Sequence, residues 1–148
     1  MKKDEVLRVI EEAARNKPVV LYLPDNQLTS LPAEISALTS LSELGLSGNQ
    51  LTSLPAEIGK LKNLTGLYLS KNQLESLPAE IGELTNLTGL YLSKNQLKTL
   101  PAEIVKLKNL TTLDLSGNPL ESPPIEIAKQ GTMVIRSYFE SLEAKNKH

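Results

Sequence analysis

The chain has 148 residues and a formal net charge of −1, so it lacks the surplus of lysine and arginine on which binding to nucleic acid or any other polyanion rests. Cysteine is absent, which excludes a disulfide framework and a thiolate metal site. No apolar run approaches the roughly 20 residues needed to span a bilayer, and the length suits one domain with a continuous core.

In chain order, Lys2 to Asn16 predicts an α-helix. Val6, Leu7, Ile10, Ala13 and Ala14 recur at helical spacing, with Asp4, Glu5, Arg8, Glu11, Glu12 and Arg15 on the other side. The acids fall in the first turn and Arg15 and Lys17 near the last, which suits the macrodipole, and Pro18 ends the helix. This stretch lacks the apolar region of about 7–15 residues that marks a secretion signal, so a cytoplasmic location is expected.

From residue 18 to residue 130 a 23-residue unit recurs five times without insertion, anchored on Asn26, Asn49, Asn72, Asn95 and Asn118. Phased copies of this period mean a solenoid. The apolar slots of the second copy are Leu41, Leu44, Leu46, Leu51, Leu54, Ile58 and Leu61. Twenty-nine leucines against one phenylalanine follow from that plan, since each slot takes one side-chain shape. The Leu-x-Leu pair before each asparagine has period 2 and predicts a short strand with both leucines inward. The asparagine amide carries donors and an acceptor, and it is expected to turn inward onto backbone groups as one rung of a ladder. Pro32, Pro55, Pro78 and Pro101 each precede Ala-Glu-Ile, and proline fits the first turn of a helix. Each Pro-Ala-Glu-Ile-x-x-Leu is therefore expected as a short helical or 3-10 turn, ended at Gly59 and Gly82 where glycine is present.

This pattern resembles the leucine-rich repeat family, whose signature is L-x-x-L-x-L-x-x-N-x-L. Leu41, Leu44, Leu46, Asn49 and Leu51 match it, as do the equivalent residues of the next three copies; the first copy departs with Pro18 in the leading slot. The resemblance implies an α/β repeat solenoid with parallel strands on the concave face and short turns on the convex face. It also implies binding of proteins through the concave face. A solenoid end exposes a raw apolar layer, so residues 2–17 are read as the N-terminal cap.

The last unit breaks the pattern, with Asn118-Pro119 for Asn-Gln, Pro123-Pro124 for Leu-Pro and Gln130 in a leucine slot. Gly131 stops the turn, and Thr132 is expected to cap a final helix over 132–145 whose face is Met133, Val134, Ser137, Tyr138, Ser141 and Leu142. That helix is read as the C-terminal cap, with Asn146, Lys147 and His148 as a frayed end. The groups Asn118-Pro119-Leu120, Ser122-Pro123-Pro124 and Gln130-Gly131-Thr132 resemble the end of the repeat domain in bacterial and archaeal Roco proteins. That likeness implies a regulatory module acting on a neighbouring GTPase domain in cis.

Signals for catalysis are weak. The only histidine is His148, there is no cysteine, and no phosphate-loop spacing occurs, so no enzyme, cofactor or metal is expected. Glu34, Glu57, Glu80, Glu103 and Glu126 form an outer column that reads as solvated charge near the start of each turn. The strand face is more informative. One outward row is Tyr22, Gly45, Tyr68, Tyr91 and Asp114; the next is Val20, Glu43, Gly66, Gly89 and Thr112; a third holds Asp25, Gly48, Lys71, Lys94 and Gly117. Tyrosine offers apolar area with a hydroxyl and is common at binding hot spots, although it also simply suits strands. The candidate partner site is therefore Tyr22, Glu43, Tyr68, Lys71, Tyr91, Lys94 and Asp114. Gly66 and Gly89 are expected to leave clearance beside the rings, and Gly45 a notch between Tyr22 and Tyr68. The lysines suggest an acidic or polar protein or peptide; neither nucleic acid nor membrane is expected.

Overall fold

The computed structural model describes residues 1–128 and 130–146, so Lys147 and His148 lie outside the described residues. Five strands, β1 (Val20–Tyr22), β2 (Glu43–Gly45), β3 (Gly66–Tyr68), β4 (Gly89–Tyr91) and β5 (Thr112–Asp114), form one parallel sheet in sequence order. The register is the period itself: Leu21, Leu44, Leu67, Leu90 and Leu113 pair across it in turn. Strands of three residues have little stability of their own. They are held because alternation sends both leucines of each Leu-x-Leu into the core. Leu44, Leu46, Leu67, Leu69, Leu90 and Leu92 are fully buried, each contributing about 1.5–3 kcal/mol relative to exposure.

Opposite the sheet run four 3-10 turns, Ala33–Ala37, Ala56–Lys60, Ala79–Glu83 and Ala102–Lys106. Each proline stands just outside its turn in extended backbone, not within the first turn. Its carbonyl accepts the isoleucine N–H three residues on, as from Ile58 to Pro55 at 3.1 Å. Gly59 and Gly82 do not end the turns, which run one residue further. A β-carbon on Gly59 would lie 2.8 Å from the Glu80 carbonyl oxygen, and one on Gly82 2.7 Å from that of Glu103. Glycine there lets successive turns approach closely.

Helix α1 (Lys3–Asn16) starts one residue later than expected and ends with Lys17 in left-handed backbone before Pro18. Val6, Ile10 and Ala13 are buried, while Leu7 and Ala14 stay half-exposed. The helix packs on the Ala33–Ala37 turn, so it covers the turn side of the first repeat only. The strand side stays open: Leu21 and Leu23 are half-buried and Val19 is 60% exposed.

At the other end α2 (Ile125–Ala128) replaces the 3-10 turn, and α3 (Thr132–Asn146) packs on α2 and on the Ala102–Lys106 turn. Helix α3 continues through Asn146, one residue past the expected end at 145. Thr132 is the first helical residue and not the cap. Gly131 makes the corner with φ 104°, and its carbonyl accepts the Ile135 N–H at 3.1 Å. The buried face also differs from the sequence expectation. Ile135 is 2% exposed and Phe139 packs on the core, whereas Met133 is 75% exposed and Ser137 and Ser141 face solvent. Two large apolar side chains bury more area than a face diluted by serines, and they set the rotation of the helix. Among the described residues no helix is long and apolar enough to cross a membrane.

Candidate interaction surface

Each strand turns its central leucine inward and its two flanking residues outward, so the sheet presents the rows Val20–Thr112 and Tyr22–Asp114 side by side. Tyr68 and Tyr91 are register partners, and their rings stack with centroids 4.8 Å apart and planes within 5°. Tyr22 does not stand across an open notch. Its ring lies over Gly45, where a β-carbon would fall 2.3 Å from Cδ1, and meets the Tyr68 ring edge-on at 6.1 Å and 74°. The three rings thus form one continuous aromatic strip. Gly66 and Gly89 likewise leave no free clearance. Both are buried under the tyrosine two residues on, with would-be β-carbons 3.1 Å from the Tyr68 hydroxyl and 3.1 Å from that of Tyr91. The signal was present in the sequence: residues i and i+2 of a strand share a face, so Gly-Leu-Tyr offers the ring a floor.

Glu43 anchors the middle ring of the strip. Its Oε1 accepts the Tyr68 hydroxyl at 2.8 Å. That hydrogen bond, with partial burial and the carboxylate charge, pushes the Tyr68 pKa up to about 12. The Tyr22 pKa is also raised, by partial burial and by Glu43. Asp114 faces Tyr91 in the register, but its carboxylate is turned to Ser116, accepting the backbone N–H at 3.1 Å and the hydroxyl at 2.8 Å. Lys71 and Lys94 lie exposed beyond the ends of β3 and β4. Both hold left-handed backbone, φ 58° and 57°, at the position where Gly48 and Gly117 take φ 74° and 72°. Two glycines in five copies are the sequence mark of that conformation. Beside the strip, Tyr22, Pro24, Gly45, Ser47 and Tyr68 enclose an open pocket of about 340 Å³, absent from the sequence reading because it exists only once Tyr22 leans across.

Beneath the rows the asparagines tie neighbouring repeats together. Asn72 Nδ2 donates to the Leu46 and Leu69 carbonyls, each at 3.0 Å, and its Oδ1 accepts the Leu51 N–H at 3.0 Å. Asn49, Asn95 and Asn118 bond in the same way. Asn26, with no preceding repeat, is half-exposed and donates to Pro24 instead. A second ladder links the same repeats. Asn63, Asn86 and Asn109 donate to the Thr39, Lys62 and Thr85 carbonyls at 2.8–3.0 Å, and Ser40 fills the first rung by donating to Pro18 at 2.7 Å. The 23-residue spacing of these asparagines was the available signal.

The model of the leucine rich repeat family matches residues 19–74 and 62–120. No curated protein matches the chain. Among solved structures, a leucine-rich repeat protein of Leptospira interrogans is 48% identical with a TM-score of 0.75, over 81% of this chain and 31% of its own length. The BIR2 ectodomain from Arabidopsis thaliana is 30% identical with a TM-score of 0.62, over 68% of this chain and 55% of its own length. The chain therefore spans about a third of the first and about half of the second.

Proposed function

Because this chain belongs to the leucine-rich repeat family, we propose that it is a non-catalytic module that binds a protein or peptide through its strand face. The observation that carries the reading is the aromatic strip of Tyr22, Tyr68 and Tyr91 laid across three strands with Glu43 and the two lysines at its border. Tyrosine rings placed by backbone glycines are pre-organised, so little side-chain freedom is lost when a partner covers them. In the outer column Glu34 and Glu126 are exposed and Glu57, Glu80 and Glu103 half-buried, and it carries no aromatic side chain of its own.

The test compares wild type with Tyr68→Ala/Tyr91→Ala and with Glu57→Lys/Glu80→Lys in a pulldown followed by calorimetry on whatever is captured. The tyrosine variant is expected to lose about 2 kcal/mol or more of binding free energy, and the outer-face variant to bind like wild type. Loss with the outer-face variant and retention with the tyrosine variant would move the working surface to the turn side.

A second reading takes the chain as the regulatory repeat domain of a Roco-type GTPase, acting in cis. It rests on the Asn118-Pro119-Leu120, Ser122-Pro123-Pro124 and Gln130-Gly131-Thr132 groups alone. A phosphate-loop motif encoded soon after residue 148 would favour it.

A further inference from the structure

The strand face is chemically lopsided in a way its formal charges conceal. Two of its carboxylates are engaged within the face: Glu43 holds the Tyr68 hydroxyl and Asp114 holds Ser116, while Asp25 lies over Gly48, where a β-carbon would lie 2.1 Å from its Oδ1. Its lysines are not. Among the described residues no carboxylate pairs with Lys71 or Lys94. The stem of Lys94 passes over Gly117, with a would-be β-carbon there 3.2 Å from Lys94 Cγ.

The backbone adds an independent observation. Lysine at φ 57–58° is strained; the same slot is filled by glycine in two other repeats and by Asp25, at φ 54°, in the first. The repeat turn imposes that conformation in every copy, so a lysine there keeps its side chain at a conformational cost that glycine would avoid. One repeat step from Lys71 lies the pocket of Tyr22, Pro24, Gly45, Ser47 and Tyr68, mainly apolar and open to solvent. Adjacent strands are about 4.8 Å apart, so pocket and lysines fall within the reach of a few extended residues.

We propose that this face takes an extended acidic segment of a partner protein, which inserts one apolar side chain into the pocket beside Tyr22 and Tyr68 and lays carboxylates on Lys71 and Lys94. The proposal rests on the strand face being the binding surface and adds the chemistry of what lies on it. The apolar anchor gains area burial against two rings and a proline, and the carboxylates meet cations that have no competing partner.

The experiment is selection of random-sequence dodecapeptides on the full chain, with affinities of the enriched peptides measured on variants. The expected winners carry Asp or Glu together with a single apolar residue. Their affinity should fall about tenfold or more on Lys71→Gly/Lys94→Gly and on Ser47→Trp, which fills the pocket. The glycine variant should melt at or above the wild-type temperature, which separates loss of binding from loss of fold. Enrichment of basic or uncharged peptides, retention of affinity on the glycine variant, or a lower melting temperature for it would overturn this inference while leaving the strand-face reading in place. Peptides that bind Tyr68→Ala/Tyr91→Ala as tightly as wild type, or no enrichment at all, would overturn both.

Discussion

The Tyr68 hydroxyl donates a hydrogen bond to Glu43, and this contact is the main reason that its own titration moves upward. The folded pKa, about 12, lies above the ordinary tyrosine value of about 10. The protonated ring is the form that folding favours, so its contribution is complete below pH 10 and is lost as the pH rises through 12. Glu43→Gln removes the charged acceptor and is expected to bring the Tyr68 transition down toward the ordinary value, read from tyrosinate absorbance. An unchanged transition would mean that the carboxylate is not the cause. Asn72 makes the contrasting case. It is 6% exposed and bonded to three backbone groups at 3.0 Å, whereas Gln73 is exposed. Truncation to alanine at residue 72 leaves buried carbonyls and an N–H unpaired and should cost about 1–3 kcal/mol. The same change at Gln73 should cost little; equal shifts in melting temperature would refute the assignment.

Elements differ in how far the sequence alone disclosed them. The strands and 3-10 turns were legible because one 23-residue pattern repeats the same local instruction five times. The partners of the turns were not, since the closeness of Gly59 to the Glu80 carbonyl involves a neighbouring repeat that no single unit describes. The face of α3 failed for a similar reason. Helical spacing alone admits several rotations, and the choice of Ile135 and Phe139 over Met133 depends on the shape of the layer beneath. The lean of Tyr22 onto Gly45 is the same kind of fact at the site. Helix α1 was read correctly as covering the first repeat, yet it covers only the turn side. Deleting residues 1–17 is therefore expected to uncover Leu28 and Ile35, which are fully buried, and to cause fraying of the first repeat or self-association. Light scattering and hydrogen exchange would detect either; a monomer with unaltered protection of residues 20–38 would show that the helix contributes nothing to the end.

For the molecule as a whole, packing, both asparagine ladders and the sheet link each repeat to its immediate neighbours, so stability is a sum of local terms along one axis. The aromatic strip does not follow that rule evenly. Tyr68 rests on Gly66 and Tyr91 on Gly89, each within its own repeat, but Tyr22 rests on Gly45 in the next one. A duplicate of residues 66–88 inserted after residue 88 would thus bring its own floor and extend the stacked rings by one. An insertion between the first and second repeats would part Tyr22 from its glycine and, if it placed tyrosine at that slot, drive two rings into one space. The third and fourth repeats are transferable cassettes, and the first and second are a matched pair that any recombination of this array must keep together.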